Sequence, residues 1–211
     1  MKKTIAVLGS GQCRDNDDRY RLAVLIGEEL ASRGCEVISG GYGGVMKAAS
    51  YGASSIRSMG EEGTNVKGYV LGEGVSKNRP NEYLDCSVDM GVVLNRLHET
   101  YQTPACQCGL RLGCLLSHSE AAIAIANHDR VLDGTLLEVL YFVHLIRRGI
   151  LLDKKLAIVL GAGISGAIWA AYVPELVGGD FKSTVESVIW SDIPMLITAD
   201  HVAAVDWAVR D

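Results

Sequence analysis

The stretch that most constrains this chain of 211 residues is a run of glycines between an apolar segment and a helical segment. Residues 36–39 have the composition of a short strand, residues 40–44 include four glycines, and residues 45–50 continue as a helix. Glycines let a ligand approach the main chain, and the first turn of a helix offers N–H groups to an anion. The stretch therefore favours a phosphate-binding loop, with a tight turn that binds no ligand as the alternative.

The rest of the chain alternates between strand-like and helical patterns. Short apolar runs predict buried strands, and apolar positions at helical spacing predict helices. The predicted strands are residues 4–8, 36–39, 66–71, 87–94, 121–126, 155–160 and 194–198, and the predicted helices are residues 20–30, 44–58, 110–119, 135–148 and 200–209. Residues 72–85 are predicted to form a loop around Pro80. This alternation predicts one α/β domain over residues 1–211, a three-layer sandwich with a mostly parallel sheet, in which ligands collect at the carboxyl ends of the strands.

Composition excludes several classes of function. Hydrophobic residues make up 48% of the chain and its net charge is −5, which argues against disorder and against a nucleic-acid-binding surface. The apolar run after Lys3 is too short for a signal peptide or a membrane span. We therefore expect a cytoplasmic protein with neither a nucleic acid nor a membrane as partner.

Two further motifs are considered and set aside. The six cysteines are expected to be reduced. Cys106 and Cys108 lie near Cys114 and His118, but the second ligand pair that a zinc site needs is missing, so we expect no metal.

Residues 161–166 match the dinucleotide fingerprint G-x-G-x-x-G. The expected second strand with its acidic end does not follow, which favours a plain glycine-rich loop over a nicotinamide or flavin site.

Arg111 and Glu138 are the more informative pair. Arg111 is expected to begin one helix and Glu138 to lie in the first turn of another, each beside a strand end at the predicted binding edge. Side chains placed there can reach a ligand held by the glycine loops. Ordinary capping and stabilisation of the helix dipole are the alternative explanation for Glu138.

Five motifs follow one another in a recognisable order: IAVLGSG at 5–11, SGGYGGVMKAA at 39–49, GLR at 109–111, SEAAIAI at 119–125 and GTLLE at 134–138. Their order and spacing resemble the LOG family, which includes cytokinin-activating phosphoribohydrolases and molybdenum-cofactor carrier proteins. The carrier-like branch is the more similar of the two. The resemblance extends to about residue 145 and is less specific beyond residue 155.

This resemblance implies a Rossmann-like fold, a homodimer, and a small-molecule nucleotide or molybdopterin as ligand, with no further cofactor required. In the hydrolases of the family, an arginine and a glutamate act on the N-glycosidic bond of a nucleoside monophosphate, and these correspond to Arg111 and Glu138 here. The implied ligand-binding residues are Gly9, Ser10, Gly40, Gly41, Gly43, Gly44, Met46, Gly134 and Thr135.

The chain departs from the family pattern at the second phosphate loop. The family has Pro-Gly-Gly before x-Gly-Thr, whereas residues 130–135 read RVLDGT. Asp133 places a negative charge where an anion should bind, which is expected to lower phosphate affinity unless Arg130 compensates. Residues 91–107 also look like an insertion. The alternatives are thus a phosphoribohydrolase and a non-catalytic carrier or sensor of molybdenum cofactor or another nucleotide.

Overall fold

The computed structural model describes residues 2–58, 65–95, 103–126, 134–161, 169, 173, 175, 176, 178, 181–183, 187–190 and 193–210. The strands are β1 (Thr4–Leu8), β2 (Glu36–Ser39), β3 (Val66–Val70), β4 (Cys86–Asp89), β5 (Ala121–Ile125), β6 (Lys155–Val159), β7 (Phe181–Ser183), β8 (Ser187–Trp190) and β9 (Met195–Thr198). The helices are α1 (Asp18–Ser32), α2 (Val45–Ser58), α3 (Met90–Leu94), α4 (Pro104–Ser117), α5 (Gly134–Arg147) and α6 (His201–Val209).

The strands form one sheet in the order β4-β3-β2-β1-β5-β6-β9-β8-β7. The seven strands from β4 to β9 in this order are parallel, while β8 pairs antiparallel with β9 and β7 antiparallel with β8. This arrangement confirms the predicted α/β fold with a mostly parallel, Rossmann-like sheet.

Two hydrophobic cores lie on opposite faces of the sheet because successive side chains of a strand alternate between its faces. Ala122 and Ala124 of β5 join one core with residues of α4 and α5. Ala121, Ile123 and Ile125 join the other core with residues of α1, α2 and α6. All five residues of β5 are buried, as expected of a strand between β1 and β6 with helices on both sides. The fold therefore has three layers.

The predicted end of one strand and the predicted start of one helix were wrong for the same reason. In both cases a helix-capping residue, which the apolar periodicity does not show, sets the boundary. Asp89 ends β4 and caps α3, where its Oδ1 accepts hydrogen bonds from the N–H groups of Gly91 (2.7 Å) and Val92 (3.1 Å), so the predicted strand at 87–94 becomes a helix after residue 89. Thr103 caps α4, which begins at Pro104 and not at residue 110.

Other features bear on the remaining predictions. The β7–β8 hairpin was not predicted, whereas the predicted loop between β3 and β4 is confirmed. The proposed insertion at 91–107 includes most of α3 and the first turn of α4; residues 96–102 lie outside the described residues, so the insertion remains a prediction. No described helix is both long enough and apolar enough to cross a membrane. All six cysteines are free thiols.

Candidate functional site

Two glycine loops meet at the carboxyl ends of β1 and β2. We call residues 9–11 the first glycine loop and residues 40–44 the second. The N–H of Val45, the first residue of α2, donates to the carbonyl of Ser10 over 3.0 Å. Gly44 has a φ of +62°, and a Cβ atom there would lie 2.2 Å from the Ser10 oxygen. The contact therefore requires glycine at position 44. Because the N–H of Val45 is bonded to Ser10, it is not free for a ligand.

The second glycine loop is held on its other side by Asn81, a buried residue of the segment between β3 and β4. The Asn81 N–H donates to the Gly41 carbonyl (2.9 Å), and its side-chain amide donates to the Tyr42 carbonyl (3.1 Å). The hydroxyl of Tyr42 in turn accepts a hydrogen bond from the N–H of Leu71 (2.7 Å). The loop is thus fixed to β1 on one side and to the segment that follows β3 on the other.

Arg111 crosses this fixed loop. Its guanidinium lies over Gly40 so closely that a Cβ atom on Gly40 would be 2.2 Å from Nη2, and its Cζ is 5.8 Å from the ring centroid of Tyr42. Nε is buried and has no hydrogen-bond partner among the residues that the structure describes. Because α4 begins at Pro104, Arg111 lies about two turns inside the helix, and the prediction that it begins the helix was wrong.

A cavity of about 590 Å³ opens beside the two loops and Arg111. The residues that line it, within the described part of the chain, are Gly11, Gln12, Tyr42, Gly43, Met46, Lys77, Asn78, Arg79 and Arg111. Three of these are cationic and none is a carboxylate, in a chain whose net charge is −5. Lys77, Arg79 and Arg111 form no ion pair with any residue that the structure describes. The cavity is therefore locally positive on a negative protein.

The structure brings together one part of the predicted site. Gly43, Met46 and Arg111 line the cavity, and Gly40 lies directly under the Arg111 guanidinium. Gly9, Ser10, Gly41 and Gly44 build the two loops and their contact, with Gly9 against the side chain of Val45. Their role toward a ligand stays a prediction.

The other part of the predicted site lies on α5. Gly134 and Thr135 are the first two residues of this helix, and Glu138 is the fifth, in the second turn and not in the first as predicted. These three residues are not among the described residues that line the cavity. Residues 127–133, with Arg130 and Asp133, lie outside the described residues, as does most of the glycine motif at 161–166.

Sequence reasoning missed Lys77, Asn78, Arg79 and Gln12. The segment between β3 and β4 was interpreted only as a loop around Pro80. One signal was available: two basic residues flank Asn78 in the segment that follows a strand whose carboxyl end lies at the predicted binding edge. Gln12 follows the first glycine loop and had no comparable signal.

A second cavity, of about 690 Å³, lies at the opposite end of the strands and is lined by Lys2, Lys3, Arg33, Gly34, Cys35 and Val209. Its cations already have partners within the protein. Arg33 pairs with Glu29 and Asp206, and Lys3 donates to the Val209 carbonyl over 2.7 Å. The second cavity therefore has less unpaired positive charge for binding an anion than the first cavity has.

The cysteines and histidines do not assemble into a metal centre within the described part of the chain, which contains no group of three or more His, Cys, Asp or Glu side chains placed to hold a metal ion. His118 instead shares a hydrogen bond of 2.9 Å between its Nδ1 and the Tyr69 hydroxyl, with the two rings stacked 5.7 Å apart.

Comparisons with known proteins match this architecture. The model of the SLOG cluster4 family matches residues 2–132. A protein of Archaeoglobus fulgidus is 45% identical over 51 residues, 24% of this chain and 32% of that protein, so the chain spans about a third of that relative's length. The molybdenum cofactor carrier protein of Chlamydomonas reinhardtii has a TM-score of 0.59 at 17% identity, with 97% of this chain and 94% of that chain covered. The molybdenum cofactor binding protein of Rippkaea orientalis has a TM-score of 0.56 at 17% identity, with 84% and 85% covered.

Proposed function

We propose that this protein, which belongs to the SLOG cluster4 family, binds a phosphorylated nucleotide or a nucleotide-like cofactor in the cavity beside its two glycine loops. The family match agrees with the LOG-family resemblance of the sequence motifs. One observation carries the proposal: Arg111, Lys77 and Arg79 line one cavity together with glycine-loop residues, and no carboxylate is among the described residues that line it.

Arg111 supplies the strongest reason to expect a phosphate. A guanidinium is permanently charged and can donate two parallel hydrogen bonds to a phosphate. Packing against Gly40 and Tyr42 restrains this side chain before a ligand arrives, which lowers the entropy lost on binding. The buried Nε has no hydrogen-bond partner in the described part of the chain, so a ligand that reaches the floor of the cavity would supply the acceptor that it lacks. In this proposal the phosphate lies against the second glycine loop under Arg111.

A carrier or sensor is the first form of this function. Two solved structures with the same fold are named as molybdenum cofactor binding or carrier proteins, which makes a phosphorylated pterin a ligand to test. The loss of Pro-Gly-Gly before Gly134 also favours binding without turnover, because that loop is where the hydrolases of the LOG family hold phosphate.

Hydrolysis of an N-glycosidic bond is the second form, and the retained G-T-x-x-E motif supports it. Breaking this bond develops positive charge on the ribose, which a carboxylate can stabilise while it orients the attacking water. Glu138 would take that role and Arg111 would position the substrate. Glu138 is partly buried on α5, a position that a bound nucleoside would need to approach.

The experiment combines turnover with binding. The protein is incubated with nucleoside 5'-monophosphates, AMP first, and free base and ribose 5-phosphate are sought by chromatography. Thermal unfolding is recorded in parallel with AMP and with molybdopterin. A ligand at 100 times its Kd is expected to stabilise the fold by about 2.7 kcal/mol, which corresponds to about 5–10 °C for a domain of this size.

The outcomes separate the two forms. Product that disappears in Glu138→Ala and not in Arg148→Ala, an exposed arginine outside the cavity lining, establishes the hydrolase. Thermal stabilisation without product, lost in Arg111→Ala, establishes the carrier or sensor. If no product forms and no ligand stabilises the fold, the proposed function is refuted.

The resemblance to the LOG family further leads us to propose a homodimer that works in the cytoplasm. Sedimentation velocity tests the first part, since a monomer of 22.6 kDa at all concentrations would contradict it. Localisation of the tagged protein by cell fractionation tests the second.

A further inference from the structure

The three cations of the cavity occupy two different environments. Arg111 lies at the floor, partly buried, with a fully buried Nε and with its guanidinium over Gly40. Lys77 and Arg79 are exposed residues of the segment between β3 and β4. The positive charge is therefore distributed between a floor and a rim.

The rim is anchored at both ends, which keeps its two cations at the cavity. At one end the Gly72 N–H donates to Oε1 of the buried Gln107 on α4 over 2.8 Å. At the other end Asn81 bonds the carbonyls of Gly41 and Tyr42 in the second glycine loop. Between these anchors the Asn78 N–H donates to Oγ of Ser76 over 3.1 Å. Lys77 and Arg79 thus belong to a structured segment tied to the same loop and helix that hold Arg111.

The two cations at the rim are not neutralised by an ion pair with any described residue. Two cations two residues apart repel each other. A single phosphate held at the floor by Arg111 and the glycine loop leaves this repulsion in place. A second anionic group at the rim would relieve it.

The size of the cavity agrees with a ligand that spans both environments. The cavity has a volume of about 590 Å³. This is much more space than one phosphate group fills, and it lies within the range of about 300–1,000 Å³ that is usual for small-molecule sites.

From these observations we infer that the natural ligand carries two anionic groups, as a nucleoside diphosphate does, with one group at Arg111 and the other at Lys77 and Arg79. The inference rests on the proposed function and adds to it the class of ligand. The competing explanation is that Lys77 and Arg79 are ordinary solvated surface residues with no contact to the ligand.

The test is a calorimetric titration of the full-length protein with AMP and with ADP. In the wild type, ADP is expected to bind at least about tenfold more tightly than AMP, because charge-assisted contacts form to the second phosphate. In the double variant Lys77→Gln/Arg79→Gln this preference should fall to within about twofold, while the Kd for AMP changes by less than about threefold.

A matched control removes the same charge elsewhere. Arg148 and Arg210 are exposed and do not line the cavity, so Arg148→Gln/Arg210→Gln should keep the preference for ADP. Added salt should also reduce the preference in the wild type, because exposed charges are screened at physiological ionic strength and above. Thermal unfolding of each variant verifies that it is folded.

Three results overturn the inference. Equal affinity for AMP and ADP in the wild type does so and leaves the proposed function intact. If the Lys77→Gln/Arg79→Gln variant binds AMP and ADP more weakly by the same factor, all three cations contact one phosphate. No binding of either nucleotide refutes the two-anion site together with nucleotide binding.

Discussion

Replacing Gly40 with alanine is expected to weaken ligand binding strongly while leaving the protein folded. A Cβ atom at this position would lie 2.2 Å from Nη2 of Arg111 and 2.7 Å from Sδ of Met46. Both atoms are near the ends of flexible side chains, and the φ of Gly40 is outside the left-handed region, so the backbone accepts alanine. The substitution therefore displaces the guanidinium and not the loop.

The structure sets the expected magnitudes. Overpacking costs about 1–3 kcal/mol, and alanine returns about 0.4–1 kcal/mol by restricting the unfolded chain. The net loss of unfolding free energy should thus not exceed about 2.5 kcal/mol, or a fall in Tm of about 10 °C. Hydrogen bonds from a charged donor contribute about 1.5–3 kcal/mol, so the Kd for a phosphorylated ligand should rise about 10- to 150-fold.

The assay is a titration of four proteins, the wild type, Gly40→Ala, Arg111→Ala and the double variant, with the ligand that stabilises the wild type best. If Gly40→Ala acts by displacing Arg111, the double variant binds no more weakly than Arg111→Ala alone. The control is Gly113→Ala, on the same helix as Arg111, where an added Cβ atom meets nothing within 4 Å. Wild-type affinity in Gly40→Ala, or fully additive losses in the double variant, would refute the placement of Arg111 as the phosphate ligand.

Two further predictions concern stability. Gly44→Ala forces a side chain into a φ of +62° and places its Cβ 2.2 Å from the Ser10 oxygen, so it should cost at least about 2 kcal/mol in urea denaturation; an unchanged midpoint would contradict the loop contact. Burial raises the pKa of the Cys13 thiol from 9.0 to about 11. Because the unfolded thiol ionises first, this group leaves the free energy of unfolding unchanged below pH 9.0 and lowers it as the pH rises toward 11. The free energy of unfolding, measured by urea titration across this pH range, should therefore fall less steeply for Cys13→Ala than for the wild type.

Most of the fold could be predicted because its central elements have strong local signals. The apolar runs that became β1, β5 and β6 are buried on both faces of the sheet, and α1 has a capping aspartate before it and Gly34, with a φ of +72°, after it. The elements that were missed have weak local signals. The strands β7 and β8 have only three and four residues, and they are defined by tertiary pairing, β8 with β9 and β7 with β8.

The site was less predictable because it combines residues that are distant in sequence. The glycine loops were visible, since conformational constraint selects glycine there. Lys77 and Arg79 were not, because basic residues in a loop are usually solvated and only the anchoring of this segment by Gln107 and Asn81 brings them to the cavity. The position of Arg111 within α4 depended on the Thr103 cap, which lies outside the apolar pattern.

The two outer strands of the sheet also bear on how this protein avoids self-association through its backbone. An edge strand exposes N–H and C=O groups on which another chain can add a strand, and long, flat edges promote aggregation. Here β4 has four residues and runs directly into a helix, and β7 has three. Strands this short leave a foreign strand little template on which to grow.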